Sequence, residues 1–211
     1  MFTWMWKRAP GYFDCLTYDG DGATTRSIEH NLGVEPEMIW IKSQTQAQDW
    51  YVYAAPIYGD DNYDVLRLNS SNAADRTNSV TFPSAPTSSV FNIYKFSTIL
   101  NGSGERYIAY LFASLSGVSK VGSFTYSGSA VNVDCGFSSG ARFVMLKSAD
   151  AVGNWLVFDT ENGINAGNDP FLQWDNTSGP DSNYDVIDPY SAGFTAAGAL
   201  SNTKYIFYAI A

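Results

Sequence analysis

The sequence predicts an all-β protein built as two tandem β-sandwich or jelly-roll-like repeats of about 100 residues each. Three observations carry that expectation. Short apolar runs rich in aromatic and branched side chains alternate with clusters of Gly, Pro, Ser, Asn and Asp, as strands between turns do. No stretch of about a dozen residues carries apolar positions at helical spacing without a breaker. The chain also repeats itself: Met38-Ile39-Trp40-Ile41-Lys42-Ser43 returns as Phe143-Val144-Met145-Leu146-Lys147-Ser148, an offset of 105 from Ser43 to Ser148.

Taken in chain order, Phe2-Thr3-Trp4-Met5-Trp6 is an apolar run that reads as the closing strand of a preceding repeat, with 1–10 set apart from the rest. Phe2, Trp4 and Trp6 are accordingly candidates for assembly, because an unpaired strand edge is a template for association. The runs 38–42 and 50–53 form a hairpin around a polar loop, and the run 107–113 closes a first repeat spanning 11–113. In the second repeat, 114–211, the runs 143–147 and 155–158 copy that hairpin without a gap, and 205–211 is the closing strand. The closing strands are apolar almost throughout, which predicts burial on both faces. Three further matches follow in order: 16–20 with 124–128 at an offset of 108, 86–91 with 189–194 at 103, and 107–113 with 205–211 at 98. Aromatics at matched positions (Trp50/Trp155, Tyr53/Phe158, Tyr107/Tyr205) are expected in the cores.

Composition narrows the function. A net charge of −9, from 12 Lys+Arg against 21 Asp+Glu, leaves no basic stripe for a phosphate backbone, so nucleic acid is not an expected partner. The apolar start is too short for a signal sequence or for a membrane span of about 20 residues, so no membrane insertion is expected. Cys15 and Cys135 are read as buried free thiols rather than a disulfide framework. No phosphate-cradling glycine motif occurs.

The single histidine, His30, limits acid–base chemistry. Gly136-Phe137-Ser138-Ser139-Gly140 has the spacing of a nucleophile elbow, but no histidine follows Ser138 to activate it. His30 is read as a turn-flanking residue whose repeat counterpart is Cys135. Acidic residues crowd the loops (Asp19, Asp21; Asp60, Asp61, Asp64; Asp169; Asp181, Asp185, Asp188), where Asp bonds its own backbone in turns. No cofactor is expected, calcium being the one ion such oxygen-rich loops suit, although EF-hand spacing is absent. The same carboxylates are too many to single out a glycosidase pair. No catalytic or metal-binding residue is therefore assigned. Aromatics in loops that differ between the copies are the ligand candidates: Tyr58, Asp60, Asp61, Asn62 and Tyr63, then Trp174, Asp175 and Asn176, which pair ring faces with amides and carboxylates as sugar sites do.

The string Trp6-Lys7-Arg8-Ala9-Pro10-Gly11-Tyr12-Phe13-Asp14, followed by Tyr18-Asp19-Gly20-Asp21-Gly22 and His30-Asn31-Leu32-Gly33-Val34, resembles a β domain of bacteriophage tail-fibre-like structural proteins. There it is often repeated or placed at the C-terminal end. Gly117 to Ser123, Cys135-Gly136-Phe137, Gly167 to Pro170, Asp188 to Phe194 and Tyr205 to Ala211 resemble its closing unit. The resemblance covers nearly the whole chain and implies a virion structural protein made in the host cytoplasm, not an enzyme, of tail-fibre or appendage type. Its expected partners are copies of itself, other virion proteins and a host-surface glycan. Capsid or tail decoration, binding only virion neighbours, is the second reading, and a polysaccharide-degrading appendage the third.

Overall fold

A computed structural model describes residues 5–57, 65–75, 81–94 and 99–211. The chain is all-β, its sheets antiparallel, with one 3-10 turn at Ala55–Ile57 among the described residues. It divides into two compact units: Met1–Val65 with Arg76–Ala113, and Leu66–Asp75 with Ser114–Ala211. The stretch Leu66–Asp75, placed in the first repeat by sequence, belongs to the second unit.

The first unit holds β1 (Phe13–Asp19), β2 (Thr25–Glu29), β3 (Met38–Ser43) and β4 (Tyr51–Ala54). After the two-residue β5 (Leu66–Arg67) of the second unit, it resumes with β6 (Val90–Tyr94) and β7 (Arg106–Phe112). Its main sheet runs β1-β7-β3-β4 and its small sheet pairs β2 with β6. Strand alternation sends Ile39, Ile41 and Leu111 of the main sheet and Ile28, Phe91 and Ile93 of the small sheet into one core, the layering of a β-sandwich.

The second unit continues with β8 (Ser119–Tyr126), β9 (Val131–Asp134), β10 (Phe143–Ser148), β11 (Leu156–Asp159), β12 (Asp169–Gln173), β13 (Asp181–Tyr184), β14 (Ile187–Tyr190), β15 (Gly193–Ala196) and β16 (Thr203–Ile210). Its main sheet runs β8-β16-β10-β11-β12-β13 and its small sheet β9-β15-β14. Val144, Leu146 and Ala209 face Val133, Phe194 and Ala196 in the second core. Each fully buried aliphatic or aromatic side chain of this kind is worth about 1.5–3 kcal/mol of transfer free energy.

The two main sheets place β1-β7-β3-β4 and β8-β16-β10-β11 in the same order. Their registers agree as well: Met38 faces Phe112 and Ala54, and Phe143 faces Ile210 and Asp159. Both first strands are approached through the same turn. Ala9 bridges Phe13 with Gly11 at φ 72°, and Leu115 bridges Ser119 with Gly117 at φ 71°. That turn, and the pairing of Tyr18 with Tyr107 against Phe124 with Tyr205, set the first strands at an offset of 106 rather than the 108 read from side-chain similarity.

Three other expectations change. Residues 5–8 form no strand, and Ala9 makes only an isolated bridge, so the expected strand does not continue through Trp6; Phe2 and Trp4 lie outside the described residues. Cys15 is half-buried and Cys135 buried, and both thiols are free. The closing strands differ: β16 buries five consecutive residues, Tyr205 to Ala209, whereas in β7 the residues Ile108 and Tyr110 are half-buried. The expected aromatics are buried, apart from half-buried Trp50.

Candidate functional site

Trp6 packs within the first unit, its ring centroid 6.2 Å from Phe13, 6.4 Å from Trp40 and 6.1 Å from Phe112. Tyr58, Asp60, Asp61, Asn62 and Tyr63 lie outside the described residues. Trp174, Asp175 and Asn176 turn the chain after β12. The Trp174 N–H donates to the Trp155 carbonyl at 3.0 Å, and Asp175 accepts from the Trp155 N–H at 3.0 Å. Asn176 bonds Gln173 and accepts from the Ser178 N–H. Asn176 thus bonds within the turn, and Asp175 ties the turn to Trp155.

The motif residues of the first unit are structural. Buried Asp14 accepts from Arg8 at 2.6 Å and from the Asn31 N–H at 2.9 Å, tying the bend after β2 to β1. His30, 6% exposed, approaches the Thr87 carbonyl through Nε2 at 3.1 Å and takes the Leu32 N–H on Nδ1 at 3.3 Å. Those partners fit the neutral ring with its proton on Nε2, and burial lowers its pKa against the opposing pull of the Thr87 carbonyl and Asp14. The ring stacks on Phe91, leaving it no general-base geometry.

The second unit buries more unusual groups. Lys147 is fully buried and donates to the carbonyls of Ser148 at 3.0 Å and Ser71 at 3.3 Å. Burial pulls its pKa down to about 8, against the opposing pull of Asp175. Lys42, at the matching place in the first unit, likewise folds back onto the carbonyls of Ser43 and Gln46. Asp169 accepts from the Asn165, Val186 and Ile187 N–H groups, each at 3.0 Å, and burial raises its pKa against those bonds. The Cys135 thiol is pushed up to about 12 by burial, which makes it inert at neutral pH. Among the described residues, no group of three or more His, Cys, Asp or Glu comes together in a way that could hold a metal ion. No described helix is long and apolar enough to cross a membrane.

A concave site does form in the second unit, a cleft of about 330 Å³. Three segments wall it: 139–141 before β10, the loop after β11 through Thr160 and Ile164, and 189–191 at the β14–β15 hairpin. Each wall is fixed by backbone bonds. The Gly140 N–H donates to Ser191 O at 2.7 Å, the Ala141 N–H to Gly193 O at 2.8 Å, and the Thr160 N–H to Arg142 O at 3.0 Å. Asp159 takes the Asn162 N–H and holds both carboxylate oxygens to the Asn162 amide, bracing the second wall. Gly140 sits at φ +81°, and a Cβ there would lie 2.9 Å from Tyr190 O, so this wall needs glycine.

Sequence reasoning passed over this cleft, although a signal existed. At the offsets of 105 and 103, Ser139, Gly140 and Tyr190 stand where the first unit has Val34, Glu35 and Thr87. They occupy the kind of copy-specific position that singled out Trp174. Ser139, not Ser138 of the elbow-like pentapeptide, lines the cleft.

Fold and site together define an all-β protein of β-sandwich-like units with a preformed cleft and buried polar groups tied into the scaffold. Over residues 8–211 the chain matches the family described as a domain of unknown function, DUF7483, and it belongs to that family. No curated protein and no solved structure matches it.

Proposed function

We propose that this protein is a structural component of a bacteriophage virion, of tail-fibre or appendage type, that takes part in attachment to the host surface and catalyses no reaction. The observation that carries this reading is the near chain-long resemblance to the β domain of tail-fibre-like proteins, anchored at Trp6 to Asp14, Tyr18 to Gly22 and Asp188 to Phe194. Two features of the molecule support it. Rigid antiparallel sheets hold the loops, and recognition tends to be built on loops positioned by such scaffolds. Among the buried ionisable groups, His30, Lys147 and Asp169 are each committed to backbone partners, as structural groups are. Assembly as a symmetric homo-oligomer with other virion proteins belongs to the same reading.

Imaging of intact particles, with the position and copy number of this chain resolved, is the test. Copies on the tail or on projecting appendages, with the cleft and the Trp174 turn facing outward, are expected. Copies confined to capsid lattice positions would replace attachment with decoration. Release of reducing sugar from host polysaccharide by the purified protein would instead make it an enzyme.

A further inference from the structure

We infer that the cleft of the second unit is a binding site for a neutral sugar unit, a hexopyranose at the end or along the side of a glycan. The inference deepens the attachment reading and rests on it for its biological sense, but its argument is the cleft's own chemistry.

The cleft lining carries no Lys, Arg, His, Asp or Glu, in a chain that is acidic as a whole. A charged ligand placed there would lose hydration without gaining a counter-charge, which disfavours phosphates, carboxylates and ammonium groups. What the lining offers is mixed in another way. Ser139, Thr160 and Ser191 each bring a hydroxyl able to donate and accept, while Ile164, Pro189 and the Tyr190 ring bring apolar surface. A ligand that matches both is uncharged, dense in hydroxyls and apolar on a face, the description of a pyranose. A purely apolar guest would leave the three exposed hydroxyls unused, and a purely polar one would waste the ring and the aliphatic wall.

The walls are also set in advance. Two of the three segments are joined by the bonds from Gly140 to Ser191 O and from Ala141 to Gly193 O, and the glycine conformation at Gly140 keeps the backbone against Tyr190. The third is held by Asp159 within its own loop. A preformed site spares a weakly held ligand the cost of ordering loops. The residues that set this chemistry, Ser139 and Tyr190, stand where the first unit has Val34 and Thr87, so the first unit does not reproduce this lining.

The test is saturation-transfer NMR on the whole chain with glucose, galactose, mannose and N-acetylglucosamine, and with glucuronate as the charged control. Sugar at about 10 mM would fill a site of roughly millimolar Kd. Transfer to at least one neutral sugar, little or none to glucuronate, and amide shifts confined to 139–141, 160–164 and 189–191 are expected. Tyr190→Ala and Thr160→Val should each weaken binding by about ten-fold. Trp174→Ala should leave it unchanged. No transfer to any of the four sugars, equal transfer to glucuronate, or shifts located away from the three walls would overturn the inference. The amide map on the unmodified chain decides the matter even if a variant fails to fold. Particle imaging separates the two readings: sugar bound in the cleft of a lattice-bound protein would sink attachment alone, whereas an outward-facing appendage that binds no neutral sugar would sink the cleft alone.

Discussion

His30 shows how a residue that invites a catalytic reading is absorbed by the scaffold. Its ring is buried against Phe91, and the Thr87 carbonyl and the Leu32 N–H take its two nitrogens in the neutral form. A second proton would displace the Leu32 bond and charge a desolvated ring, so the folded-state pKa lies below the ordinary 6.5. The unfolded chain therefore binds the proton first as the pH falls. Stability is retained above about pH 6.5 and declines from there toward the lower folded-state pKa. Because the chain has one histidine, a single imidazole resonance reports this directly: its NMR titration midpoint is expected below 6.5. A midpoint at or above 6.5 would mean that the ring is solvated or charge-paired in solution. Cys135, the counterpart of His30 at an offset of 105, has the same backbone neighbour. The His30 N–H donates to Ser89 O at 2.9 Å and the Cys135 N–H to Ala192 O at 2.8 Å, so the main-chain bond persists while the side-chain chemistry changes.

At the scale of the strand, two buried groups, Asp169 and Lys147, give opposite tests. Asp169 opens β12 and gathers three N–H groups from Asn165, Val186 and Ile187. Asp169→Ala leaves those donors without that acceptor, a loss of about 3 kcal/mol. Faster hydrogen exchange at Val186 and Ile187 should accompany the lower unfolding midpoint, and unchanged exchange there would place the cost elsewhere. Lys147, on β10, works against the fold at neutral pH. Its pKa drops from 10.5 to about 8 on folding, so below pH 8 both states are charged and the folded one carries the desolvation cost. Between about pH 8 and pH 10.5 the folded lysine is already neutral while the unfolded one still holds its proton, so this group's share of stability rises with pH. Measured as the difference between wild type and Lys147→Met, most of roughly 3 kcal/mol should move in favour of wild type across that window. A pH-independent difference would show an unshifted lysine. Much of this architecture was legible beforehand. The gap-free match at 105 is the pair of hairpins β3–β4 and β10–β11, whose apolar runs are long enough to fix register by pattern. The first strands were misplaced by two residues because side-chain likeness in Leu16-Thr17-Tyr18 favours 108, and only pairing with β7 and β16 fixes 106.

For the molecule as a whole, the feature least visible in sequence is the exchange of Leu66–Asp75 into the second unit. No periodicity marks these ten residues, and they sit inside a repeat whose ends match well, so likeness between copies assigns them to the wrong unit. Hydrogen bonds within the second unit hold this stretch. The Trp155 Nε1–H donates to Arg67 O at 2.9 Å, Lys147 reaches Ser71 O, the Gly153 N–H donates to Ser71 O at 2.8 Å, and the Ala74 N–H donates to Ala149 O at 2.8 Å. The cleft was hidden for a related reason, its lining being spread over more than fifty positions and brought together by the β14–β15 hairpin and the loop after β11. Trp155 is the anchor whose loss is easiest to read, because Trp155→Phe keeps an aromatic ring in the fully buried site and removes the indole N–H. With the Arg67 carbonyl left without that donor, the second unit should lose about 2 kcal/mol. Exchange at the Gly153 and Ala74 amides should quicken together, since both bonds depend on the same stretch lying in place. If Trp155→Phe lowered the unfolding midpoint while those two amides kept their protection, the cost would come from the smaller ring alone. The stretch 66–75 would then be held without the indole bond.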